Sequence, residues 1–253
     1  MKNIYAVNQS IIQSVTDGYD QVADKFSHTR NFFWADLEFI KDLVKPEDNI
    51  LDFGCGNGRL AGFLEGKYQS YLGVDVSQKL LEIAKKNNPD AKNSFLLLGQ
   101  GSEKLLFRAK NRFDVTLSLA VFHHLPSRAY RKSQAKILYD TTREGGLCVI
   151  SVWNLATPKY LKIFLKDKIF NRQKEKPEFK DFYLPFKTPN FVFERFLHIF
   201  SQNELRKLFE QAGFKTVEVR KKKKNLIYVG EKDRKSTSLN SSHRIRSRMT
   251  SSS

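Results

Sequence analysis

Apolar positions along the chain follow two periods, and their alternation predicts the architecture. Spacings of three and four residues recur at Ile4, Val7, Ile11, Ile12 and Val15, then at Tyr19, Val22, Ala23 and Phe26. They predict an amphipathic helical segment, interrupted at Asp17-Gly18. Leu37 to Val44 continues as a helix, and Pro46 closes it. Short apolar runs then alternate with helical patterns. Strands are predicted at 50–53, 71–75, 95–98, 113–120 and 147–153. Helices are predicted over 59–64, from Gln78 to near Asn88-Pro89, and from a Ser127 cap through Asp140. Gly145-Gly146 reads as the turn into the fifth strand. Such alternation implies a doubly wound parallel sheet with right-handed crossovers. Ser201 and Glu204 have capping-box spacing for a last helix that buries Leu205, Leu208 and Phe209 and ends at Gly213. Residues 214–219 and 226–229 then close the fold as a hairpin around Arg220-Lys221-Lys222-Lys223-Lys224-Asn225.

The first strand runs into Leu51-Asp52-Phe53-Gly54-Cys55-Gly56-Asn57-Gly58-Arg59. Gly54, Gly56 and Gly58 remove side chains that would keep a ligand from the backbone N–H groups before the helix. The spacing is G-x-G-x-G with an acid two positions ahead, unlike the dinucleotide fingerprint G-x-G-x-x-G. A pyrophosphate has no use for Asp52, whereas a ligand with an amino group has. Asp75 ends the second strand about twenty residues on, where sites of this kind place the carboxylate that binds ribose hydroxyls; Ser77 is there to cap the next helix.

Composition refines this picture. The chain has 253 residues with 40% hydrophobic side chains, enough for one large α/β domain. No apolar run reaches the ~20 residues of a membrane span. The first residues lack the apolar core of a secretory signal. Cys55 and Cys148 read as small buried residues, so a cytoplasmic setting is expected. The net charge is +17. Residues 233–253 carry five Lys/Arg against one acid, a net +4 that leaves +13 for residues 1–232. This tail has no apolar period. Its start, Asp233-Arg234-Lys235-Ser236, resembles translated sequencing-adapter sequence, so it reads as a disordered, artefactual tail. The body stays basic, which favours a polyanionic partner such as RNA; plain solubility explains charge almost as well. Residues 154–200 interleave lysines with aromatic rings. That suits RNA contact or a lid over the site, and a membrane-surface helix less well. The Lys221–Lys224 run could touch phosphates, and a solvated turn is the simpler reading.

The motifs together resemble class I S-adenosylmethionine (SAM) methyltransferases, whose D-x-G-C-G-x-G signature matches residues 52–58. They are closest to the tRNA wobble-uridine carboxymethyl methyltransferases. The matches are Phe26-Ser27-His28-Thr29-Arg30 with Trp34, Ser118 to His124, Val152-Trp153, and Arg195 to Phe200 with Glu204-Leu205. The chain departs from the family after Trp153, where Asn154-Leu155-Ala156-Thr157 replaces A-x-E-Q, and both tyrosines before His198 are missing.

The resemblance implies a Rossmann-like, mostly parallel seven-stranded sheet with an antiparallel C-terminal hairpin strand. It implies a helical lid over 1–44, a SAM-binding core over 45–153, a cap over 154–200 and completion of the core over 201–232. It implies SAM as cofactor, with Tyr19 covering the methionine end, Asp52, Gly54, Cys55, Gly56, Asn57 and Gly58 forming the loop, and Asp75 with Val76 at the ribose. Gln100, Gly101 and Ser102 would frame adenine, and Leu119 and Ala120 would complete the wall. Arg30, His124, Arg195 and His198 would position the acceptor, with Arg30 and Trp34 on one helix face; His123 is a further catalytic candidate, one histidine contacting substrate while the other braces the loop, unless both are structural. An ionised carboxylate acceptor needs no base, whereas a hydroxyl or amine would need His123 or His124. Adjacent histidines lack the spacing of a zinc pair. The implied substrate is tRNA, with a small activator subunit as a partner of some relatives. A small-molecule methyltransferase, acting for example on a quinone, and a non-catalytic RNA-binding module are the alternatives.

Overall fold

The computed structural model describes residues 3–29, 33–99, 106, 108–188 and 191–234. A seven-stranded sheet forms its centre, in the order β3-β2-β1-β4-β5-β9-β8. The strands are β1 (Asn49–Phe53), β2 (Ser70–Asp75), β3 (Asn93–Leu97), β4 (Phe113–Leu119), β5 (Thr142–Trp153), β8 (Lys215–Lys221) and β9 (Asn225–Glu231). The first five are parallel, and β9 pairs antiparallel with both β5 and β8. This is the expected doubly wound architecture with its closing hairpin.

Side chains alternate across these strands, and each face of the sheet builds its own core. Leu51, Phe53, Cys148, Ile150 and Val152 meet α5 (Arg128–Thr141) and α7 (Gln202–Ala212) on one face. Ile50, Val115, Leu117, Leu147 and Val149 meet α2 (Ile40–Leu43) and α3 (Arg59–Phe63) on the other. Strands buried on both faces read as continuous apolar runs, which is why β1, β4 and β5 were visible in the sequence. The last helix keeps the serine half of its capping box: Glu204 N–H donates to Ser201 Oγ at 3.2 Å, while the Glu204 carboxylate turns to His198 and Lys180. Gly213 closes it with φ 117°.

The structure differs from the sequence reading in four places. First, α1 runs unbroken from Ile4 to His28, through Asp17-Gly18. Gly18 is there for packing: a Cβ on it would lie 2.1 Å from the Phe193 ring. Secondly, α1 ends at His28 with Thr29 as its cap, and Trp34 precedes a short 3₁₀ turn over Ala35–Leu37, so Trp34 does not stand on a face of α1. Arg30 itself lies outside the described residues. Thirdly, the helix expected over 37–44 is this turn plus the four-residue α2. Fourthly, Gly145-Gly146 lies inside β5, not ahead of it. Gly145, at φ 70°, donates to Lys232 O, and Gly146 O accepts from Lys232 N–H.

Residues 154–200 contain α6 (Pro158–Phe170) and a two-stranded antiparallel hairpin of β6 (Asp181–Lys187) and β7 (Val192–His198). α4 (Gln78–Asn87) follows β2. α1 lies between the hairpin and α4. Its Ile11 and Val15 pack on Phe196 of β7. Its Asp20 carboxylate accepts from Ser77 Oγ at 2.5 Å and from Lys79 N–H at 3.2 Å, at the start of α4. Among the described residues, no helix is long and apolar enough to cross a membrane.

Candidate active site

The C-terminal ends of the parallel strands open into a cavity of about 520 Å³, roofed by α1. Residues 52–57 make its floor, and Asp75, Val76, Leu119 and Ala120 its wall. Gly54 holds φ 81°, and a Cβ there would sit 2.2 Å from Val121. Its N–H and that of Cys55 both donate to Val74 O, which folds the loop back over β2. Gly56 holds φ 55°, and among the described residues a Cβ on it would meet only Phe26, at 3.9 Å. Bare backbone thus faces the ligand space, as the spacing required. Gly58 is turned away from the cavity and starts α3 at φ 73°. Cys55 is buried, and burial pushes its thiol well above the ordinary range, so it is an inert wall.

Two carboxylates organise this floor. Asp75 accepts from Gly56 N–H at 2.8 Å through one oxygen and from Ser77 N–H at 2.9 Å through the other. Burial raises its pKa, and these N–H groups oppose the rise. Each oxygen retains a lone pair for a further donor. Asp52 is 3% exposed and accepts from Tyr71 O–H at 2.5 Å. Burial pushes its carboxyl up to about 7, against the lowering effects of that hydrogen bond and of Arg59. A buried carboxyl balanced between its charged and neutral forms is poised for a cationic ligand group. Arg59 lines the same space with its guanidinium 3.8 Å from the Trp34 ring centre. The sequence pairing of Trp34 with Arg30 missed this contact; the i, i+4 rule applies only within one helix.

At the far end, β4 turns through Ala120, a non-glycine residue at φ 60°, into a 3₁₀ turn over Phe122–His124. Such a backbone is sparsely populated and needs support. Ala120 N–H donates to Ser151 O and Ser151 Oγ, which hold it. The two histidine rings stay side by side, 4.4 Å between centres, but differ in their partners and burial. His124 Nδ1 lies 3.0 Å from Phe196 O and therefore donates to it. Its Nε2 then accepts from Tyr19 O–H at 3.0 Å. His123 is fully buried, and its Nδ1 accepts from Trp153 N–H at 3.3 Å. Burial holds its pKa well below the ordinary value, so it is neutral.

Tyr19, His124 and Trp153 line the cavity. Arg195 stands behind Trp153: its guanidinium lies 5.1 Å from both the Trp153 and Phe186 ring centres, and its Nε has no hydrogen-bond partner among the described residues. His198 does not reach the cavity. It is buried between Asp181 (Nδ1, 2.6 Å) and Glu204 (Nε2, 2.7 Å). Arg131 adds an ion pair to Glu178 at 2.8 Å beside it. This cluster ties the hairpin to α5 and α7. Gln100, Gly101 and Ser102 lie outside the described residues.

The Gly-rich floor, a buried acid beside it and a second acid at the end of β2 fit an amino-acid nucleoside. Fold and site together define a SAM-dependent methyltransferase. A family model described as a methyltransferase domain matches residues 22–219. A relative from Schizosaccharomyces pombe, the tRNA (carboxymethyluridine(34)-5-O)-methyltransferase, is 30% identical over 226 residues, 85% of this chain and 94% of its own. The chain belongs to the methyltransferase family that these two matches describe. The fold recurs in a SAM-dependent methyltransferase from Methanosarcina mazei at TM-score 0.65 and 20% identity, over 79% of this chain and 98% of that one. It recurs in a structure of a methyltransferase complex with the Haloferax volcanii Trm112 activator at TM-score 0.58 and 15% identity, over 85% and 98%.

Proposed function

We propose that this chain methylates a carboxylate carried by tRNA, the carboxymethyl group of a modified wobble uridine. The observation that carries this reading is the chemistry of the acceptor end. It has no free base among its described histidines, and a buried cation, Arg195, backs its Trp153 wall. His124 has both ring nitrogens engaged, and His123 is sealed from the cavity. Trp153 offers a stacking face instead, and Arg195 behind it offers charge and an Nε without a partner among the described residues. An ionised carboxylate needs orientation and no deprotonation, so this set suffices for it. The name of the Schizosaccharomyces pombe relative supports the same acceptor.

Bound SAM would supply a methyl group already activated on a sulfonium sulfur. The chain's residues divide the remaining work. Asp52 holds the amino group of the methionine end, and Arg59 pairs with its carboxylate. Gly54, Cys55, Gly56 and Asn57 admit and frame the cofactor while Gly58 turns the loop into α3, Asp75 and Val76 hold the ribose side, and Leu119 and Ala120 complete the wall. Gln100, Gly101 and Ser102 frame the adenine. Tyr19, fixed by its bond to His124, closes the roof over the reacting end. Arg30 and Arg195 orient the acceptor carboxylate. His123 and His124 brace the loop that faces it, and His198 secures the cap. In division of the chain, residues 1–44 act as lid and 154–200 as cap on the core. A small activator subunit docking on the chain, as in the Haloferax volcanii complex, belongs to the same proposal.

The test is transfer of label from SAM to bulk tRNA, with Arg195→Ala beside the parent protein. Label in tRNA, lost in Arg195→Ala with SAM binding kept, supports the reading. Label entering only small molecules, unaffected by ribonuclease, overturns it.

A further inference from the structure

The basic run between β8 and β9 is built into the rim of the cavity. β9 runs antiparallel to β5, with Asn225 opposite Trp153. The turn that precedes Asn225 therefore projects from the same end of the sheet as the cavity. Lys221, Lys222, Lys223 and Lys224 are all exposed. Their backbone is not free. Asn154, 6% exposed and next to the cavity-lining Trp153, donates from its amide to Lys222 O at 3.1 Å. Its backbone N–H donates to Lys224 O at 2.9 Å, and Lys222 N–H donates to Asn225 O at 2.8 Å. On the other side, Asn225 Nδ2 donates to Asp36 Oδ2 at 3.2 Å, two residues from the cavity-lining Trp34. Arg220 lies 5.0 Å over Phe39.

We infer that the Lys221–Lys224 turn is a preset phosphate-contact platform that seats the RNA backbone at the cavity mouth; this rests on the RNA-acceptor reading above. Four adjacent like charges repel one another, and a merely solvated turn would relax that repulsion by moving apart. Here a buried asparagine fixes two of their carbonyls, so the backbone stays in register and the side chains project to solvent. Asn154 stands where this chain departs from the A-x-E-Q pattern, so the clamp belongs to this sequence. A polyphosphate backbone is the partner that rewards such an array, because each lysine that neutralises a phosphate releases counterions. A membrane surface would also draw the charge, but the turn offers no apolar side chain to insert.

The experiment uses the full chain with Lys221, Lys222, Lys223 and Lys224 all changed to Gln, and a second variant with all four changed to Arg. Binding of bulk tRNA is followed by fluorescence anisotropy from low to moderate salt, with SAM binding and sedimentation with phosphatidylserine–phosphatidylcholine vesicles alongside. The Gln variant should bind tRNA at least about tenfold more weakly at low salt. Its log–log salt slope should fall by about 1 for each lysine that touches a phosphate. SAM binding should be unchanged, and the Arg variant should bind tRNA like the parent. A Gln variant with the parent's tRNA affinity and slope overturns the inference, as does loss confined to vesicle binding. A parent that neither binds nor methylates tRNA overturns the RNA-acceptor reading itself, which is a distinguishable result.

Discussion

The carboxyl of Asp52 makes cofactor binding depend on pH in a calculable way. Burial raises it from the ordinary 3.8 to about 7 in the cofactor-free protein. A ligand ammonium binds the ionised form, so the protein must shed this proton to take up SAM. At pH 8 the carboxylate is mostly formed already. At pH 6 only about a tenth of the molecules carry it, which weakens binding about tenfold. Stability follows the same linkage with the opposite sense. The folded state binds the proton more tightly than the unfolded chain, so this group's contribution falls as pH rises from 3.8 towards 7. The most that burial of the charge can cost is ~4 kcal/mol above that range. Isothermal titration of SAM between pH 6 and 8, in buffers of differing ionisation enthalpy, measures both the affinity slope and the proton released. Asp52→Asn should flatten the slope, bind SAM weakly throughout and melt higher than the parent at pH 8 when SAM is absent. Tyr71→Phe, which removes the hydrogen bond that lowers this pKa, should move the midpoint upward. A parent affinity independent of pH, or an Asp52→Asn variant with the parent's slope, refutes the reasoning.

Three further outcomes are expected. Gly18→Ala should lower the melting temperature by several degrees, at about 1–3 kcal/mol for overpacking against Phe193, although Ala in a helix interior ordinarily stabilises by ~1 kcal/mol; thermal denaturation by circular dichroism reads this directly. Asp20→Ala removes the acceptor that holds α1 to the start of α4 and should cost about 1 kcal/mol, with faster hydrogen exchange in α1. Burial pushes the His198 pKa down, but its bonds to Asp181 and Glu204 push it up and prevail, so its stabilisation is complete below 6.5 and is lost as pH rises through the raised value. Glu204, although burial raises its carboxyl, is held at about 2 by His198 and Lys180, and its share is lost as pH falls from 4.5 towards 2. His198→Gln should therefore destabilise more at pH 6 than at pH 9 in urea titrations.

The central sheet was legible because its strands are buried on both faces, so each is a short apolar run bounded by turn residues. The glycine loop was legible because bare backbone leaves a signature in sequence that few other constraints imitate. What escaped notice depends on contacts between distant segments. Gly18 reads as a helix breaker until Phe193, from a hairpin far along the chain, fills the space over it. Trp34 takes its cation from Arg59, across a chain reversal. His198 looked like a site residue because it shares a motif with Arg195, yet adjacent strand positions point to opposite faces and so do positions three apart. Arg195 faces Trp153, whereas His198 faces Asp181 and Glu204. Asp20 was assigned no role of its own, and its bond to Ser77 depends on α1 running unbroken across the roof.

The most direct test of the account is nucleoside analysis of tRNA after incubation with the protein and SAM. The expected product is a methyl ester of carboxymethylated uridine, formed only when SAM is present and removed by mild alkaline hydrolysis. Detection of the methyl group on a ring nitrogen or a ribose hydroxyl, or no methylated nucleoside while a small metabolite gains the label, would contradict it.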